Sequence, residues 1–248
     1  MNTLTSKEGS IVPSVVFKLR ENDSWTSRST DEIFGNRTVV VFSLPGAFTP
    51  TCSSTHVPRF NELAGTFKEN GVDEIICMSV NDPFVMDAWA KDQQAEHISF
   101  IADGNGTFTQ QMGLLVDKED LNFGKRSWRY SMLVKNGVIQ KMFIEPQEPG
   151  DPFKVSDADT MLDYINPEAK KPKAIVLFTK EGCGFCKKAK EALNASKMPY
   201  VEISLNNKIR GTTLAALKLN ATVPQLFADG VQIDGSDAIV QWVQTQIA

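Results

Sequence analysis

An apolar, β-branched run from Thr38 to Ser43 ends in a short turn that carries one cysteine and then gives way to residues spaced for a helix. The run reads as a buried strand, and Phe60, Leu63 and Phe67 recur after it at helical spacing. Between them, Pro45-Gly46-Ala47-Phe48-Thr49-Pro50-Thr51-Cys52 puts Cys52 at or just inside a helix N-terminus. Unpaired backbone N–H groups and the positive end of the helix dipole favour an anion there, which biases a thiol toward thiolate. A helix terminus supplies only ~0.3–1 kcal/mol of that bias. An arginine and a hydroxyl donor are the expected further sources.

The octapeptide has the form Pro-x-x-x-Thr-x-x-Cys, and the longer string from Pro45 to Phe60, PGAFTPTCSSTHVPRF, resembles the peroxidatic loop of peroxiredoxins, most closely the peroxiredoxin 5 subfamily. The resemblance implies that the Thr49 hydroxyl and an arginine from a later strand bind the two peroxide oxygens while the Cys52 thiolate attacks one of them. Arg129, in Arg126-Ser127-Trp128-Arg129-Tyr130-Ser131-Met132, matches that arginine, and Pro45 matches the proline that shields the pocket. The chemistry agrees: attack on an O–O bond builds negative charge on the leaving oxygen, so a fixed cation and hydroxyl stabilise the transition state more than the ground state. His56 lies four residues after Cys52, on the same face if the helix has begun. A Cys–His pair suggests a hydrolase, but the sequence identifies no oxyanion site and no third partner.

Further elements alternate. Glu74 to Val80 is a strand apolar enough to be buried on both faces. Asp82 and Pro83 open a helix to about Lys91, as N-cap and first helical residue. Ile98 to Ala102 is a strand, Ser14 to Lys18 an earlier one, and Asn136-Gly137 joins Tyr130–Lys135 to Val138–Phe143 as a hairpin. Strand and helix in alternation followed by a hairpin argue for an α/β sandwich with a mixed sheet. Cys77, in the middle of a buried strand, reads as inert core. No other cysteine occurs before Cys183, so a sulfenic acid on Cys52 needs a thiol from outside this half to resolve it.

With 42% hydrophobic and 23% charged residues, the 248-residue chain has ordinary globular composition for one large or two ordinary domains. Residues 1–170 carry 16 Lys and Arg against 24 Asp and Glu, and residues 171–248 carry 10 against 6, an asymmetry that marks separate domains. Neither half is basic enough to indicate nucleic acid. The polar start, Met1 to Ser10, and the absence of any membrane-length apolar run point to a cytoplasmic protein, where cysteines stay reduced.

Glu145-Pro146-Gln147-Glu148-Pro149-Gly150-Asp151-Pro152 is too proline-rich for an element interior, and Ser156 to Ile165 reads as the helix that closes a first domain, residues 1–166. Residues 167–172 form a polar linker, and residues 173–248 a second domain. There Ala174 to Phe178 is a strand, followed by Lys180-Glu181-Gly182-Cys183-Gly184-Phe185-Cys186 and a lysine-rich helix to about Lys197. Cys-x-x-Cys at such a turn suits thiol–disulfide exchange, with Lys180 a nearby positive charge. With only His56 and His97 available, a structural zinc site has too few ligands, and no metal is expected.

Thr222-Val223-Pro224 and Gly230-Val231-Gln232-Ile233-Asp234-Gly235-Ser236-Asp237, together with the CGFC motif, make this half similar to glutaredoxins. The resemblance implies a cis-proline beside Cys183 and glutathione contacts at Lys180, Val223, Pro224, Ser236 and Asp237. Gly184 stands where proline is usual, and Asp234 where the first of two glycines is usual. CGFC also approaches the CGFS of glutaredoxins that hold iron–sulfur clusters.

The two resemblances imply two thioredoxin-fold α/β domains in tandem, each a mixed sheet flanked by helices. They imply a peroxidase that reduces hydrogen peroxide and alkyl hydroperoxides through Cys52. Glutathione, recycled by glutathione reductase, is the reducing co-substrate, Cys183 and Cys186 are the fused regenerating pair, and no permanent cofactor is required. A homodimer or homotetramer follows from the same likeness. Two alternatives are a peroxide-sensing relay to client proteins and glutathione-assisted iron–sulfur binding by the CGFC domain.

Overall fold

Two units, Met1–Lys171 and Pro172–Ala248, make up the computed structural model, which describes residues 4–21, 24–196, 198–206, 208–217, 219–220 and 222–247. The first unit runs β1 (Val16–Glu21), β2 (Ser24–Ser29), α1 (Thr30–Phe34), β3 (Thr38–Leu44), α2 (Val57–Glu62), α3 (Ala64–Glu69), β4 (Glu74–Ser79), α4 (Pro83–Asp92), β5 (Ser99–Ala102), α5 (Thr107–Gln111), β6 (Leu115–Asp117), β7 (Lys125–Ser127), β8 (Tyr130–Lys135), β9 (Val138–Ile144) and α6 (Ala158–Ile165). Five strands form a mixed sheet in the order β5-β4-β3-β8-β9, with β3, β4 and β5 parallel and β8 and β9 antiparallel to their neighbours.

The apolar run lies in the centre of this sheet because both of its faces are covered. Successive strand residues point to opposite sides: Val39 and Val41 pack with Ile76, Met78 and Met132, while Val40, Phe42 and Leu44 pack with Cys77, Phe60, Phe67 and Met161. Cys52 belongs to the second cluster.

The helix after the cysteine is less regular than its spacing predicts. Cys52–His56 is a single π-helical turn, closed by the Val57 N–H donating to the Cys52 carbonyl five residues back. Pro58 follows, and having no N–H it cannot supply the bond that an α-helix would give Ser54. Isolated π-turns of this kind concentrate at functional sites. Asp82 caps α4 through the Val85 N–H with Pro83 in the first turn, as expected. The closing helix starts at Ala158, later than the Ser156 of the sequence reading, because Asp157 caps it through the Thr160 N–H. The first strand also starts later, at Val16, and it pairs with β2, Ser-Trp-Thr-Ser-Arg-Ser, which lacks the apolar alternation that would have revealed it.

The second unit runs β10 (Ile175–Thr179), α7 (Gly184–Ala195), β11 (Val201–Ser204), α8 (Arg210–Ala216), β12 (Gln225–Ala228), β13 (Val231–Asp234) and α9 (Ser236–Ile247). Its sheet, β11-β10-β12-β13, has one parallel pair, β10 with β11, and two antiparallel ones. Leu177 and Leu226 of the sheet meet Ala189 and Leu193 of α7 and Ile239 and Val243 of α9, a core set at helical spacing. No helix among the described residues is long and apolar enough to cross a membrane.

Candidate active site

Pro45 leaves β3, and the loop that follows is tied down by Asn81, whose Oδ1 accepts from the Ala47 N–H at 3.1 Å and the Ser79 hydroxyl at 2.8 Å. Thr49 donates its hydroxyl proton to the Gly46 carbonyl at 2.9 Å. With that proton engaged, the hydroxyl's lone pairs are what it offers to a molecule beside it. Phe48, with φ 61°, occupies the left-handed region that costs a bulky residue energy, a feature that clusters at functional sites. Ser53, the residue after the cysteine, accepts from the Trp89 indole N–H at 3.0 Å. These contacts leave Cys52 fully buried.

Arg129, just before β8, is the group that faces the sulfur. Its guanidinium is 1% exposed. Nη1 donates to Cys52 Sγ at 3.4 Å and to His56 Nδ1 at 3.2 Å, and Nη2 donates to both oxygens of Asp151 at 2.5 and 2.6 Å. Its Nε is buried with no hydrogen-bond partner among the described residues. Burial acts to lower the Arg129 pKa, but the Cys52 sulfur and the Asp151 carboxylate outweigh it and raise it above the usual value. The cation is held firmly charged beside the sulfur.

His56 is the residue whose place only the structure reveals. It is fully buried among Phe42, Phe60 and Phe153, with ring centroids 4.8, 5.5 and 4.9 Å away. Nε2 donates to the Ser156 carbonyl at 3.1 Å, which leaves Nδ1 as an acceptor for Arg129. Burial, and then the Arg129 charge, push its pKa down from 6.5 to about 3. A neutral imidazole that accepts from a cation and sits against a carbonyl is a spacer for the arginine, not the base of a hydrolase. Asp151 is the second partner that the sequence did not single out, since an acidic residue in a proline-rich loop carries no local signature. Cys77 is buried in the same core, and its thiol is pushed well above its usual range by burial first and by Cys52 second, as an inert residue should be.

The state of His56 makes stability depend on pH. Between about pH 6.5 and about pH 3 the unfolded chain takes up a proton on His56 that the folded chain does not, so stability falls as pH falls through that window. One such group contributes up to about 1.4 kcal/mol per pH unit. Urea titrations at pH 6.5 and 5 are expected to show a loss of about 2 kcal/mol that is absent in His56→Gln. Equal losses in both proteins would mean that other groups carry the acid sensitivity.

In the second unit Cys183 is the N-cap of α7, and its sulfur accepts from the Cys186 N–H at 3.3 Å. Partial burial acts to raise the Cys183 pKa, but the Cys186 thiol, the N–H groups of Cys186 and Phe185 and the charge of Lys180 together lower it. Burial, and then the bond to Cys183, push Cys186 up to about 11. The pair is polarised: the Cys183 thiol is lowered and the Cys186 thiol raised, so Cys183 is the one that gives up its proton more readily. Val223, joined to Pro224 by a cis peptide bond, presents its carbonyl 3.8 Å from Cys183 Sγ.

A cleft of about 590 Å³ opens beside the pair, lined by Lys180, Lys187, Lys190, Glu181 and Glu202 among others. Lys190 is ion-paired with Glu202 at 3.0 Å, while Lys180 and Lys187 face the cleft as further positive charge. Ser236 and Asp237 do not line it among the described residues; they open α9, where Asp237 pairs with Lys188 of α7 at 2.7 Å. Asp234 accepts from Asn220 at 2.5 Å and Gln225 at 2.6 Å, so the carboxylate that replaces a usual glycine braces the strand beside the cis-proline.

Two family models match the chain: Redoxin over residues 7–162 and Glutaredoxin over residues 175–233. The chain is thus a thiol oxidoreductase made of two thioredoxin-fold domains. "Hybrid peroxiredoxin hyPrx5" of Haemophilus influenzae is 57% identical over 239 residues, 96% of this chain and 99% of that protein. The chain belongs to the peroxiredoxins, in the hybrid form that carries a glutaredoxin domain at its C-terminal end. "Peroxiredoxin sll1621" of Synechocystis is 55% identical over 62% of this chain and 88% of its own length. Among solved structures, reduced Prx3 of Vibrio vulnificus in complex with H2O2 is 38% identical with a TM-score of 0.62, covering 65% of this chain and 99% of that one. The 1-Cys peroxiredoxin of Plasmodium falciparum is 35% identical with a TM-score of 0.63, covering 66% of this chain and 100% of that one. Peroxidase chemistry at a cysteine is what this family brings to the chain.

Proposed function

We propose that this chain is a glutathione-dependent peroxidase with Cys52 as the reacting thiolate, Arg129 and Thr49 as its substrate-orienting partners and Pro45 as the shield of the pocket. The observation that carries the reading is the Arg129 guanidinium, 3.4 Å from Cys52 Sγ with its Nε–H unspent. Attack of the thiolate on the near oxygen of a hydroperoxide forms an S–O bond and breaks the O–O bond. The far oxygen leaves with the electron pair, opposite a donor array suited to that charge, and the Thr49 lone pairs suit the proton on the attacked oxygen. Cys52 is left as a sulfenic acid. Hydrogen peroxide and alkyl hydroperoxides are the proposed substrates.

Glutathione then condenses with the sulfenic acid, releasing water and leaving a mixed disulfide. The Cys183 thiolate takes the glutathionyl group, and either a second glutathione or Cys186 clears Cys183. Support comes from the polarised pair and from the lysines of its cleft, which suit a tripeptide bearing carboxylates. Lys180, Val223 and Pro224 are the proposed glutathione contacts closest to the thiol, with Ser236 and Asp237 as more distant ones. Residues 1–166 act as the peroxiredoxin domain and 173–248 as the glutaredoxin domain, in the cytoplasm and as a homodimer or homotetramer.

The test is hydrogen peroxide consumption with glutathione as the only reductant, recycled by glutathione reductase and NADPH. Steady, saturable turnover that vanishes in Cys52→Ser is the expected result. Oxidation of Cys52 without glutathione turnover would overturn the glutathione step and leave the peroxide step standing.

A further inference from the structure

The proline-rich segment after β9 is built onto the reacting pair through one buried carboxylate. Glu145 is 1% exposed, and its side chain accepts four hydrogen bonds: from the Lys154, Val155 and Ser156 N–H groups at 2.8, 2.9 and 2.8 Å and from the Ser156 hydroxyl at 2.8 Å. Its own backbone is fastened to the short segment between β7 and β8 that carries the arginine. The Glu145 N–H donates to the Arg129 carbonyl at 3.1 Å, and its carbonyl accepts from the Trp128 indole at 2.8 Å. The segment that the carboxylate gathers in returns to the same arginine. Asp151 chelates Nη2, the Phe153 ring lies 5.5 Å from the guanidinium carbon, and the Ser156 carbonyl holds His56, which holds Nη1. A closed circuit runs from the backbone of Arg129, through Glu145 and the strap, to the guanidinium of Arg129.

We infer that Glu145 is a positioning residue for peroxide reduction: its carboxylate locks residues 151–156 as a strap that holds the Arg129 guanidinium against Cys52. Three backbone N–H groups on one carboxylate replace the secondary structure that this proline-rich stretch cannot form. A guanidinium on a long, rotatable side chain keeps one orientation only if its partners are themselves fixed, and every fixed partner other than the sulfur belongs to the strap or is braced by it. Glu145 touches neither sulfur nor substrate and acts only through Arg129. Resolution of the sulfenic acid by an added thiol does not use the arginine's alignment with a leaving oxygen, so the two half-reactions respond differently.

This inference rests on the peroxidase reading, and one experiment separates the two. Glu145→Gln keeps the shape but turns one acceptor into a donor that faces the Lys154 N–H or the other three bonds. The full chain and this variant are assayed at varied hydrogen peroxide and, separately, at varied dithiothreitol. The expected result is a fall of about 10- to 100-fold in kcat/KM for peroxide with a change below about threefold in kcat/KM for dithiothreitol. Ser156→Ala, which removes one of the four bonds, is expected to show a smaller loss with the same split. Equal falls in both constants would reduce Glu145 to a structural role, and unchanged constants would remove it from the mechanism. Absence of peroxide turnover in the unaltered chain would instead sink the peroxidase reading.

Discussion

Arg129→Lys is expected to lower the rate constant for oxidation of Cys52 by hydrogen peroxide by about 10²- to 10³-fold, the scale of removing a transition-state donor. Lysine keeps the charge but not the shape. The guanidinium spends one nitrogen on the sulfur and His56, a second on Asp151, and holds the third in reserve, an arrangement of five fixed donors that an ammonium on a flexible stem cannot reproduce. His56, neutral and buried, would lose its donor at Nδ1, and Asp151 would lose its bidentate partner. Stopped-flow tryptophan fluorescence during peroxide addition measures the oxidation step alone. A rate within about threefold of wild type would show that a nearby charge suffices and that orientation does not matter.

Cys183→Ser is expected to cut glutathione-dependent turnover by about 10²-fold while leaving oxidation of Cys52 by peroxide intact, the loss expected when a tethered partner is removed and an intermolecular reaction must substitute. The polarisation of the pair sets which cysteine matters. Cys183, capping α7 near the charge of Lys180, has its pKa lowered and is the more readily ionised thiol, whereas Cys186 is held up to about 11 and stays protonated near neutrality. A serine hydroxyl in place of Cys183 is no nucleophile at pH 7. Cys186→Ser is expected to retain most turnover, because a second glutathione can clear Cys183. Coupled consumption of NADPH reads both variants. If Cys183→Ser turns over at the wild-type rate, glutathione reduces Cys52 unaided, and the C-terminal domain acts on something else.

The central strands of the first domain, its Asp82-capped helix and hairpin, and the opening strand and helix of the second were legible because burial and caps write themselves into local pattern. β3 and β4 are apolar on consecutive residues because both faces of the sheet are covered, and Asp82-Pro83 opens a helix for reasons confined to four residues. β2 escaped because its stability comes from pairing with β1 and not from its own composition. Cys52, Thr49 and the Cys183–Cys186 pair were legible too, since each sits in one short string at one turn.

What the chain by itself determined, then, is where Cys52 and Cys183 stand: each at the turn from a strand into a helix, in strings whose spacing is local. What tertiary structure decided is what stands opposite them. Arg129 lies 77 residues from Cys52, and Asp151 lies 22 residues beyond Arg129. His56, close to the cysteine in sequence, takes its meaning from Ser156 and Phe153, 100 and 97 positions away. Glu145 reads as one acid in a proline-rich break until the fold folds that break back onto it. Contacts between distant residues leave no period and no spacing in a sequence, because the energy that holds them is gained only when the whole sheet has formed and water has left the space between.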